Sequence, residues 1–386
     1  MQVEILAGSV SKFGELWDAS PRSLVKQVVL EALSSTKLKI GEIEAVYVGN
    51  MLSSSLGGQD HLGAFFNEEL GLNVPAMKVE GACASGGLAV HAGILAVTSG
   101  LYKNVLVIGI EKMTDHKPEE VAKALMGAGS DEERVAGTTF PGLYAMMARA
   151  YMEKYGVTEE DLAHVAVKNH YHASLNSHAQ FRFPVTIEQV MKSSVVASPL
   201  KLLDCSPITD GAAAVILSNN IEHITDNNKN KTVSIIASTV ATDTLGIADR
   251  SDLTSLKSTV LAAKKAYRQA GVTPGEIDVA EVHDCFTIAE VIAMDDLGFF
   301  PRGKSAQFIR RKKTTLGFGR PVVNTSGGLK AAGHPVGATG VKQIVEIYCQ
   351  LKGVAGKKQV KNAKTGLTHN IGGSGATAVI HILQKD

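Results

Sequence analysis

An internal repeat constrains what this chain can fold into more than any other feature of its sequence. Three elements occur twice in the same order: a segment with helical apolar spacing, a Gly-Glu-Ile turn and a short apolar segment. They lie at residues 20–34, 41–43 and 45–49 in the first half, and at residues 255–270, 275–277 and 278–283 in the second. A further apolar run, residues 210–217, returns as residues 374–381. Since each copy combines helical and strand periodicity, the sequence predicts two versions of one α/β unit.

The first copy carries an insertion. The distance between corresponding elements falls from about 234 residues at the first pair to about 164 at the last, which indicates about 70 additional residues in the first half. They should lie between a strand at residues 104–110 and the closing strand at Gly211, and we predict an inserted loop domain at about residues 113–203. This interval holds charged helices and a histidine-rich patch at residues 169–178. It is either a solvated surface excursion or, beside an active site, a lid or substrate-binding element.

The two copies define the predicted domains. Residues 1–220 form the first half, including the insertion, and residues 221–386 form the second. The halves meet near residues 219–231, where the stretch 226–231 is strongly polar and carries no motif. We expect an exposed connection there.

Charge and cysteine usage exclude several classes of protein. The chain has 39 Lys and Arg against 38 Asp and Glu, without a long run of one sign, which argues against nucleic acid or a membrane surface as its main partner. Its 4 cysteines lack the close spacing of a metal site or a disulfide framework, so neither is expected. The sequence shows no basic leader, no membrane-length apolar stretch and no peroxisomal signal, and we expect a soluble protein of the reducing cytoplasm.

One stretch concentrates the features of a nucleophile. Cys83 lies among small residues in VEGACASGG, residues 79–87, ahead of the apolar run LAVHAGILAV. The small residues allow a sharp turn from an extended segment into a helix, whose positive end would lie at the sulfur. Because such a position lowers the pKa of a thiol, we expect a reactive thiolate at Cys83. Taken alone, the pattern suits an inert buried cysteine equally well.

Three stretches of the second half carry further candidates. VHDCF, residues 282–286, follows the repeated strand, so its side chains should lie at the carboxyl end of a sheet, where open α/β folds bind ligands. In NTSGGLKAAGHPVGATG, residues 324–340, a glycine-flanked loop is predicted to bring His334 to the first turn of a helix that opens with Pro335. In NIGGSG, residues 370–375, the backbone N–H groups are free to face a ligand oxygen. Glycine turns and lone histidines are common, but their joint occurrence at equivalent places of a repeat is not.

The chain resembles the thiolase family in three signature blocks: GACASGG, NTSGGLKAAGHPVGATG and NIGGSGATAVI. The first two blocks are highly specific, and the similarity extends over essentially the whole chain. The resemblance implies an α/β fold with a duplicated five-layered αβαβα core, each half a five-stranded sheet between helices, and with a loop domain inserted in the first half. The insertion found from the repeat agrees with that layout.

Two departures from the commonest thiolase pattern agree with each other. Many thiolases have an Asn-Glu-Ala-Phe block where this chain has His-Asp-Cys-Phe at residues 283–286, and a cysteine where it has Asn370. A subgroup similar to the sterol-carrier-protein-type and archaeal thiolases carries its second cysteine in the His-Asp-Cys-Phe block, and this chain resembles that subgroup. A third difference, Leu143 and Tyr144 in place of His-Met in the loop domain, affects the acyl pocket and hence the chain-length preference.

The resemblance implies a role for each block. Cys83 would attack an acyl-CoA thioester and become acylated while CoA leaves, with His334 taking the thiol proton. Cys285 would then remove an α-proton from a second acetyl-CoA, whose carbanion attacks the acyl-enzyme. His283 is assigned with His334 to one oxyanion hole, and the backbone N–H groups of Cys83 and Gly372 to the other. Acyl-CoA enters as a substrate, so no cofactor is expected.

The remaining assignments are less specific. Ser206 precedes the closing strand of the first half, where the pantetheine arm of CoA passes in the family, and is a candidate contact. Cys205 and Cys349 are assigned to packing. Cys285 could instead be a core cysteine in a strand-end turn, and His283 could have a structural hydrogen-bonding role.

The predicted function is that of an acetyl-CoA C-acetyltransferase, which condenses two acetyl-CoA molecules reversibly by ping-pong chemistry. The alternatives are a degradative 3-oxoacyl-CoA thiolase with longer substrates and a non-catalytic scaffold subunit of a multienzyme complex. The resemblance also implies a homodimer or a dimer of dimers. Archaeal-like members of the subgroup associate with 3-hydroxy-3-methylglutaryl-CoA synthase and a small zinc-containing OB-fold protein, which implies the same partners here and a place in the mevalonate pathway.

Overall fold

The computed structural model describes residues 3–223 and 232–385, and within them ten strands form one mixed sheet. The first half contributes β1 Val3–Val10, β2 Ala45–Gly49, β3 Ala76–Val79 and β4 Asn104–Glu111, then the separate hairpin β5 Val195–Ala197 and β6 Leu200–Lys201 of the insertion, and finally β7 Gly211–Ser218. The second half contributes β8 Val233–Thr242, β9 Val279–Glu281, β10 Val322–Val323, β11 Thr365–Gly372 and β12 Thr377–Lys385.

The helices lie between these strands along the chain, and α4 to α8 follow one another without an intervening strand. Those of the first half and its insertion are α1 Pro21–Ser34, α2 Leu62–Leu70, α3 Ser85–Thr98, α4 Pro118–Leu125, α5 Asp131–Val135, α6 Phe140–Tyr155, α7 Glu159–Ser174 and α8 Ile187–Lys192. Those of the second half are α9 Lys257–Ala270, α10 Thr287–Asp296, α11 Ser305–Arg310, α12 Gly328–Ala332 and α13 Val336–Lys352.

The strand order confirms the predicted duplication. Neighbours in the first half are β3-β2-β4-β7-β1, and the second half repeats this order as β10-β9-β11-β12-β8. In each half the three outer strands are parallel, and the closing strand is antiparallel to both of its neighbours. Each half is therefore the same α/β unit, as the repeat in the sequence predicted.

The junction of the two sheets was not predicted. The first strands of the two halves, β1 and β8, pair antiparallel, with Val3 opposite Ile235 and Glu4 opposite Ser234. The hydroxyl of Ser234 also donates to Glu4 Oε1 at 2.7 Å. Both strands lie at the inner edge of their own five-stranded sheet, where unpaired backbone groups favour pairing with another strand.

Two central helices, α3 and α13, pack between the sheets and contact strands of both halves. Their contact requires glycine on both sides. A Cβ atom on Gly86 would lie 2.6 Å from the carbonyl oxygen of Gly337, and one on Gly340 would lie 2.1 Å from the nitrogen of Gly87. The glycines of two signature blocks thus let the helices approach to backbone contact, which brings the residues that precede each helix close together.

Local signals set the helix ends largely as predicted. Ser20 caps α1 by accepting a hydrogen bond from the Ser23 N–H at 3.1 Å, and Pro21 occupies the first helical position. The predicted start of α13 was wrong by one residue. The helix begins at Val336, and Pro335, which was expected at the first helical position, is its N-cap. His334 therefore lies just before the helix rather than in its first turn.

The insertion is a packed structure and not a solvated excursion. Helices α6 and α7 pack against α10, α11 and α12 of the second half. The hydroxyl of Tyr151 on α6 donates to the buried Asp295 on α10 at 2.5 Å. The insertion is thus fixed to the second half, beside the ends of the parallel strands.

Part of the predicted exposed connection, residues 224–231, lies outside the described residues. Among residues 3–223 and 232–385, no helix has both the length and the apolar character needed to cross a bilayer.

Candidate active site

Cys83 lies in a short turn between β3 and α3 that its own neighbours hold in place. Ala82 adopts a positive φ of 54°, and a Cβ on Gly81 would lie 2.2 Å from Leu88 Cδ1. The hydroxyl of Ser85 accepts from the Gly81 N–H at 3.0 Å and donates to the Ala82 carbonyl at 2.6 Å. This small-residue turn presents the buried sulfur at the start of α3, as the sequence predicted.

His334 is oriented as a proton acceptor. Its Nδ1 lies 2.7 Å from Thr339 Oγ1, and that hydroxyl donates to the Pro335 carbonyl at 3.0 Å. Because the hydroxyl proton is already used, Nδ1 carries a hydrogen and Thr339 accepts it. The lone pair of His334 is therefore on Nε2, which is buried and has no hydrogen-bond partner within the described residues.

His283 is held in the opposite tautomer. Its Nδ1 faces two donors, the Ile371 N–H at 3.4 Å and the Asn370 side-chain amide at 3.3 Å. Nε2 therefore carries the hydrogen, and it too lacks a partner among residues 3–223 and 232–385. The two imidazole rings meet edge to face with centroids 5.1 Å apart. One ring thus offers an acceptor and the other a donor.

These two rings and Cys83 form one cluster. The Cys83 sulfur and one ring nitrogen from each of His283 and His334 all lie within 4.8 Å of one another. Among residues 3–223 and 232–385, it is the one cluster of His, Cys, Asp and Glu side chains whose ligand atoms are close enough together to hold a metal ion. A metal would need a lone pair on His283 Nε2, and the two donors at Nδ1 disfavour that tautomer. The cluster therefore fits acid–base chemistry better than metal binding.

Burial keeps the thiol and the imidazole neutral. It raises the pKa of Cys83 to about 12, despite backbone hydrogen bonds to the sulfur that oppose the shift. Burial, with a contribution from Lys342, lowers the pKa of His334 to about 3. The expectation of a ready thiolate at Cys83 was therefore wrong, because loss of hydration outweighs the helix N-terminus. The resting pair is a thiol beside a neutral base.

The backbone donors at the sulfur are offset by one residue from the assignment made from the sequence. The N–H groups of Gly373 and of Cys83 itself hydrogen-bond the Cys83 sulfur. Strand β11 ends at Gly372, opposite Thr377, and the chain turns at Gly373 with φ 61°. The observed contact thus belongs to Gly373, and a role for Gly372 toward a substrate oxygen stays a prediction.

A cavity of about 220 Å³ brings most of the predicted residues together. Cys83, His334, Cys285 and Ser206 line it, together with Gly373. The Ser206 N–H donates to the Cys285 carbonyl at 2.9 Å, which fixes the Cys285 turn to this wall. Burial, followed by the charge of Cys83, raises the pKa of the Cys285 thiol well above its ordinary value.

The insertion supplies the opposite wall of the cavity. Its residues Ala122, Leu125, Thr139, Phe140, Pro141 and Tyr144 line this side. The histidine-rich patch of the insertion has a different role. His172 bridges the Asn324 carbonyl at 3.0 Å and the Leu316 N–H at 3.0 Å, so it is a buried structural link rather than a substrate contact.

Asn370 is a functional residue whose role sequence reasoning missed. Its Oδ1 accepts from the Gly87 N–H at 3.1 Å, and its Nδ2 donates to the Cys83 carbonyl at 2.9 Å. The same amide faces His283 Nδ1. One side chain therefore fixes both the nucleophile turn and the tautomer of the neighbouring imidazole. The signal available in the sequence was that Asn370 stands where the commonest thiolase pattern has a cysteine.

Two buried carboxylates that the sequence did not single out anchor the loops of the site. Glu111 accepts from the Gly337 N–H at 3.0 Å, at the start of α13, and burial raises its pKa to about 7. Asp284 accepts from the Leu329 N–H at 2.6 Å and from the Asn169 amide at 2.6 Å. Both carboxylates hold backbone N–H groups of the block that carries His334, and so fix its position.

Comparison with known proteins identifies the family of this chain. The family model described as "Thiolase, N-terminal domain" matches residues 3–220, and "Thiolase C-terminal domain-like" matches residues 239–385. An acetyl-CoA acetyltransferase of Methanothermobacter thermautotrophicus is 47% identical over 99% of this chain and 99% of its own length. One of Methanocaldococcus jannaschii is 45% identical over 99% of this chain and 98% of its own length. The solved structure of an Ltp2-ChsH2(DUF35) aldolase has the same fold, with a TM-score of 0.83 at 22% identity over 98% of this chain and 97% of that one.

Proposed function

Because this chain belongs to the thiolase family, we propose that it is an acetyl-CoA C-acetyltransferase, which joins two acetyl-CoA molecules into acetoacetyl-CoA and CoA and also catalyses the reverse reaction. That the chain is an acyltransferase of the thiolase type follows from its family; the acetyl group and the reaction are the proposal. The observation that carries it is one cavity in which the thiols of Cys83 and Cys285, with a third at Cys205, lie together with the base His334. The names of the two archaeal relatives support acetyl as the acyl group.

In the first half-reaction the Cys83 sulfur attacks the thioester carbonyl while its proton passes to His334 Nε2. Since the pKa of the thiol is high and that of the imidazole is low, the proton moves together with the attack instead of beforehand. The backbone N–H groups of Cys83 and Gly373, which lie at the sulfur, stabilise the oxyanion, and Gly372 is the candidate assigned from the sequence. The tetrahedral intermediate collapses, the bond from carbon to the CoA sulfur breaks, and Cys83 is left acylated.

Proton balance assigns the next step to Cys285. The departing CoA thiolate takes a proton from the Cys285 thiol, which leaves Cys285 as a thiolate and His334 as an imidazolium. The thiolate then removes an α-proton from the second acetyl-CoA. The enolate oxygen accepts hydrogen bonds from His283 Nε2–H and from the hydrogen that His334 gained. The enolate carbon attacks the acyl-enzyme, and the released Cys83 sulfur recovers its proton from His334.

The acyl-chain preference is the first testable consequence. The rings of Tyr144 and Phe286 lie 4.7 Å apart in the cavity wall, which limits room for a longer acyl chain. With CoA and a series of 3-oxoacyl-CoA substrates, we expect acetoacetyl-CoA to give the highest kcat/KM. Each two-carbon extension should reduce it by about tenfold or more, since a closed apolar pocket discriminates by about 1–3 kcal/mol per methylene. A rise with chain length would favour the degradative thiolase, and no cleavage of any substrate would favour the scaffold.

Assembly is the second consequence. We propose a homodimer or a dimer of dimers, because β3 lies at an open edge of the sheet and its Met77 is 48% exposed. The unpaired backbone groups of such an edge strand favour pairing with another copy. Sedimentation of the purified protein should show a dimer or tetramer, and Met77→Lys should shift it toward smaller species. The control Val354→Lys, which changes another exposed apolar residue, should leave the sedimentation of the protein unchanged. A stable active monomer of the parent chain would contradict the proposal.

Partner proteins complete the proposal. Condensing two acetyl-CoA molecules is uphill, so an enzyme that consumes acetoacetyl-CoA is needed for net synthesis. We propose a cytoplasmic complex with 3-hydroxy-3-methylglutaryl-CoA synthase and a small OB-fold zinc protein. The name of the structural neighbour, an Ltp2-ChsH2(DUF35) aldolase, couples Ltp2 to a second component, which supports association of this chain with a partner protein. Co-purification from the native host that never recovers the synthase would argue against it.

A further inference from the structure

Tyr144 on α6 is a buried polar side chain at the cavity for which the mechanism above has no role. It is 1% exposed, and its ring packs on that of Phe286. Tyr144, Phe286 and Cys285 line the same cavity. The hydroxyl of Tyr144 therefore lies buried in the cavity wall, near the Cys285 thiol, whose charge must change during the reaction.

This hydroxyl has one hydrogen and two possible acceptors near it. Oη donates to the Gly373 carbonyl at 3.2 Å, and the Cys285 thiol, which lines the same cavity, is close enough for each of the two groups to shift the pKa of the other. When Cys285 is a thiol, its S–H can point to Oη while the O–H points to Gly373. When Cys285 is a thiolate, the sulfur accepts only, and a charge-assisted bond to it is stronger than one to a neutral carbonyl. The O–H can thus follow the charge of Cys285.

Resting on the proposed function, we propose that Tyr144 is a further catalytic residue of the carbon–carbon step, whose O–H hydrogen-bonds and stabilises the Cys285 thiolate. The thiolate forms when the thiol proton leaves with CoA, and at that moment the O–H turns from Gly373 to the sulfur. When the Cα–H bond of the second acetyl-CoA breaks and the S–H bond forms, the O–H returns to the carbonyl. Tyr144 neither gains nor loses a proton.

The charges around Cys285 make this donor important. Burial raises the pKa of the Cys285 thiol well above its ordinary value, and the carboxylate of the adjacent Asp284 raises it further. The O–H of Tyr144 and the Phe286 N–H both act against this rise in the pKa of Cys285. Burial also raises the pKa of Tyr144 well above its ordinary value, so it remains a donor. The other ionisable groups near this pair are Arg250, whose charge acts on Tyr144, and His334, which lines the same cavity and is an imidazolium while Cys285 is a thiolate.

Tyr144→Phe tests the proposal, because it keeps the ring and removes the hydroxyl. We expect condensation, and thiolysis of acetoacetyl-CoA, to slow by about 10- to 100-fold, the worth of a hydrogen bond to a charged group. Acetyl transfer from acetyl-CoA to Cys83, followed by rapid-quench mass spectrometry, should stay within about twofold, since that step needs no Cys285 thiolate to begin. With the donor gone the pKa of Cys285 rises, so the rising limb of the pH profile for the carbon–carbon step should move to higher pH.

Tyr151→Phe is the matched control. Tyr151 is a buried tyrosine on the same helix, and its hydroxyl donates to Asp295, away from the cavity. The Tyr151→Phe substitution should leave the ratio of the two half-reaction rates and the pH profile as in the parent. Thermal unfolding compares the stability of both variants. Equal rates for Tyr144→Phe and the parent, or equal slowing of both half-reactions without a shift of the pH profile, would overturn the catalytic role. If the parent chain forms no acyl-enzyme at all, the proposed function fails, and this inference fails with it.

Discussion

Cys83→Ala is expected to abolish both half-reactions, with kcat/KM for acetoacetyl-CoA thiolysis reduced by at least about 10⁴-fold, as loss of a catalytic nucleophile commonly does. The Cys83 sulfur lies within 4.8 Å of ring nitrogens of both His283 and His334. Without it, the acyl group has no acceptor beside the base, and His334 has no proton to take. Steady-state thiolysis by the purified variant measures the loss.

The control for this substitution is Cys349→Ala. Cys349 is also a free thiol whose pKa burial raises to about 12, but it lies on α13 outside the catalytic cavity. Its loss should change kcat/KM by less than about twofold, in line with other substitutions away from a site. Turnover by Cys83→Ala within tenfold of the parent would show that another residue carries the acyl group.

Cys285→Ala is expected to separate the half-reactions. Condensation should fall by about 10²- to 10⁴-fold, the usual contribution of a general acid–base group. Acetyl transfer to Cys83 should largely persist, because an ordinary thiol has a pKa of about 8.5 and the CoA thiolate can leave unprotonated at modest cost. The variant should therefore accumulate acetyl-enzyme from acetyl-CoA and fail to convert it to acetoacetyl-CoA.

Cys205 is the alternative thiol for this role, since it also lines the cavity. Its sulfur donates to the Lys201 carbonyl at 3.3 Å, which leaves it as a packing group. Cys205→Ala should then retain condensation within about tenfold, as a cavity-wall substitution of one small group. Condensation lost in Cys205→Ala but kept in Cys285→Ala would reassign the α-proton to Cys205, and Asn370 would need to be tested as well.

The fold was predictable because the sequence repeats its own periodicity. The offset between copies predicted an insertion in the first half, and the strand order of each half confirms the duplicated unit. The pairing of β1 with β8 was not predictable, since it depends on how two finished sheets meet and leaves no local pattern. The start of α13 was displaced because Pro335 serves as the N-cap rather than as the first helical residue.

The electrostatics of the nucleophile could not be read from the sequence. A small-residue turn before a helix predicted a lowered pKa at Cys83. The structure raises it, because the surrounding helices and loops bury the sulfur almost completely. Residues distant in the chain decide how much hydration the thiol loses. One of them, Glu111, also raises the pKa of Cys83 through its charge.

The supporting residues were missed for the same reason. Asn370 reaches Gly87 and the Cys83 carbonyl across more than 280 positions of the chain. Tyr144 reaches Gly373 from the insertion. The sequence marked both positions as departures from a family pattern, but only the fold brings each side chain to the atoms that it serves.

Identification of the acylated residue tests the central claim most directly. The parent chain is mixed with acetoacetyl-CoA, quenched in acid within the first turnover, digested and mapped by mass spectrometry. The account predicts one acetyl group per chain, on the peptide that contains Cys83, and its disappearance when CoA is added before the quench. An acetyl group on Cys285 or Cys205 instead, or complete turnover with no acyl-enzyme at any time, would contradict it.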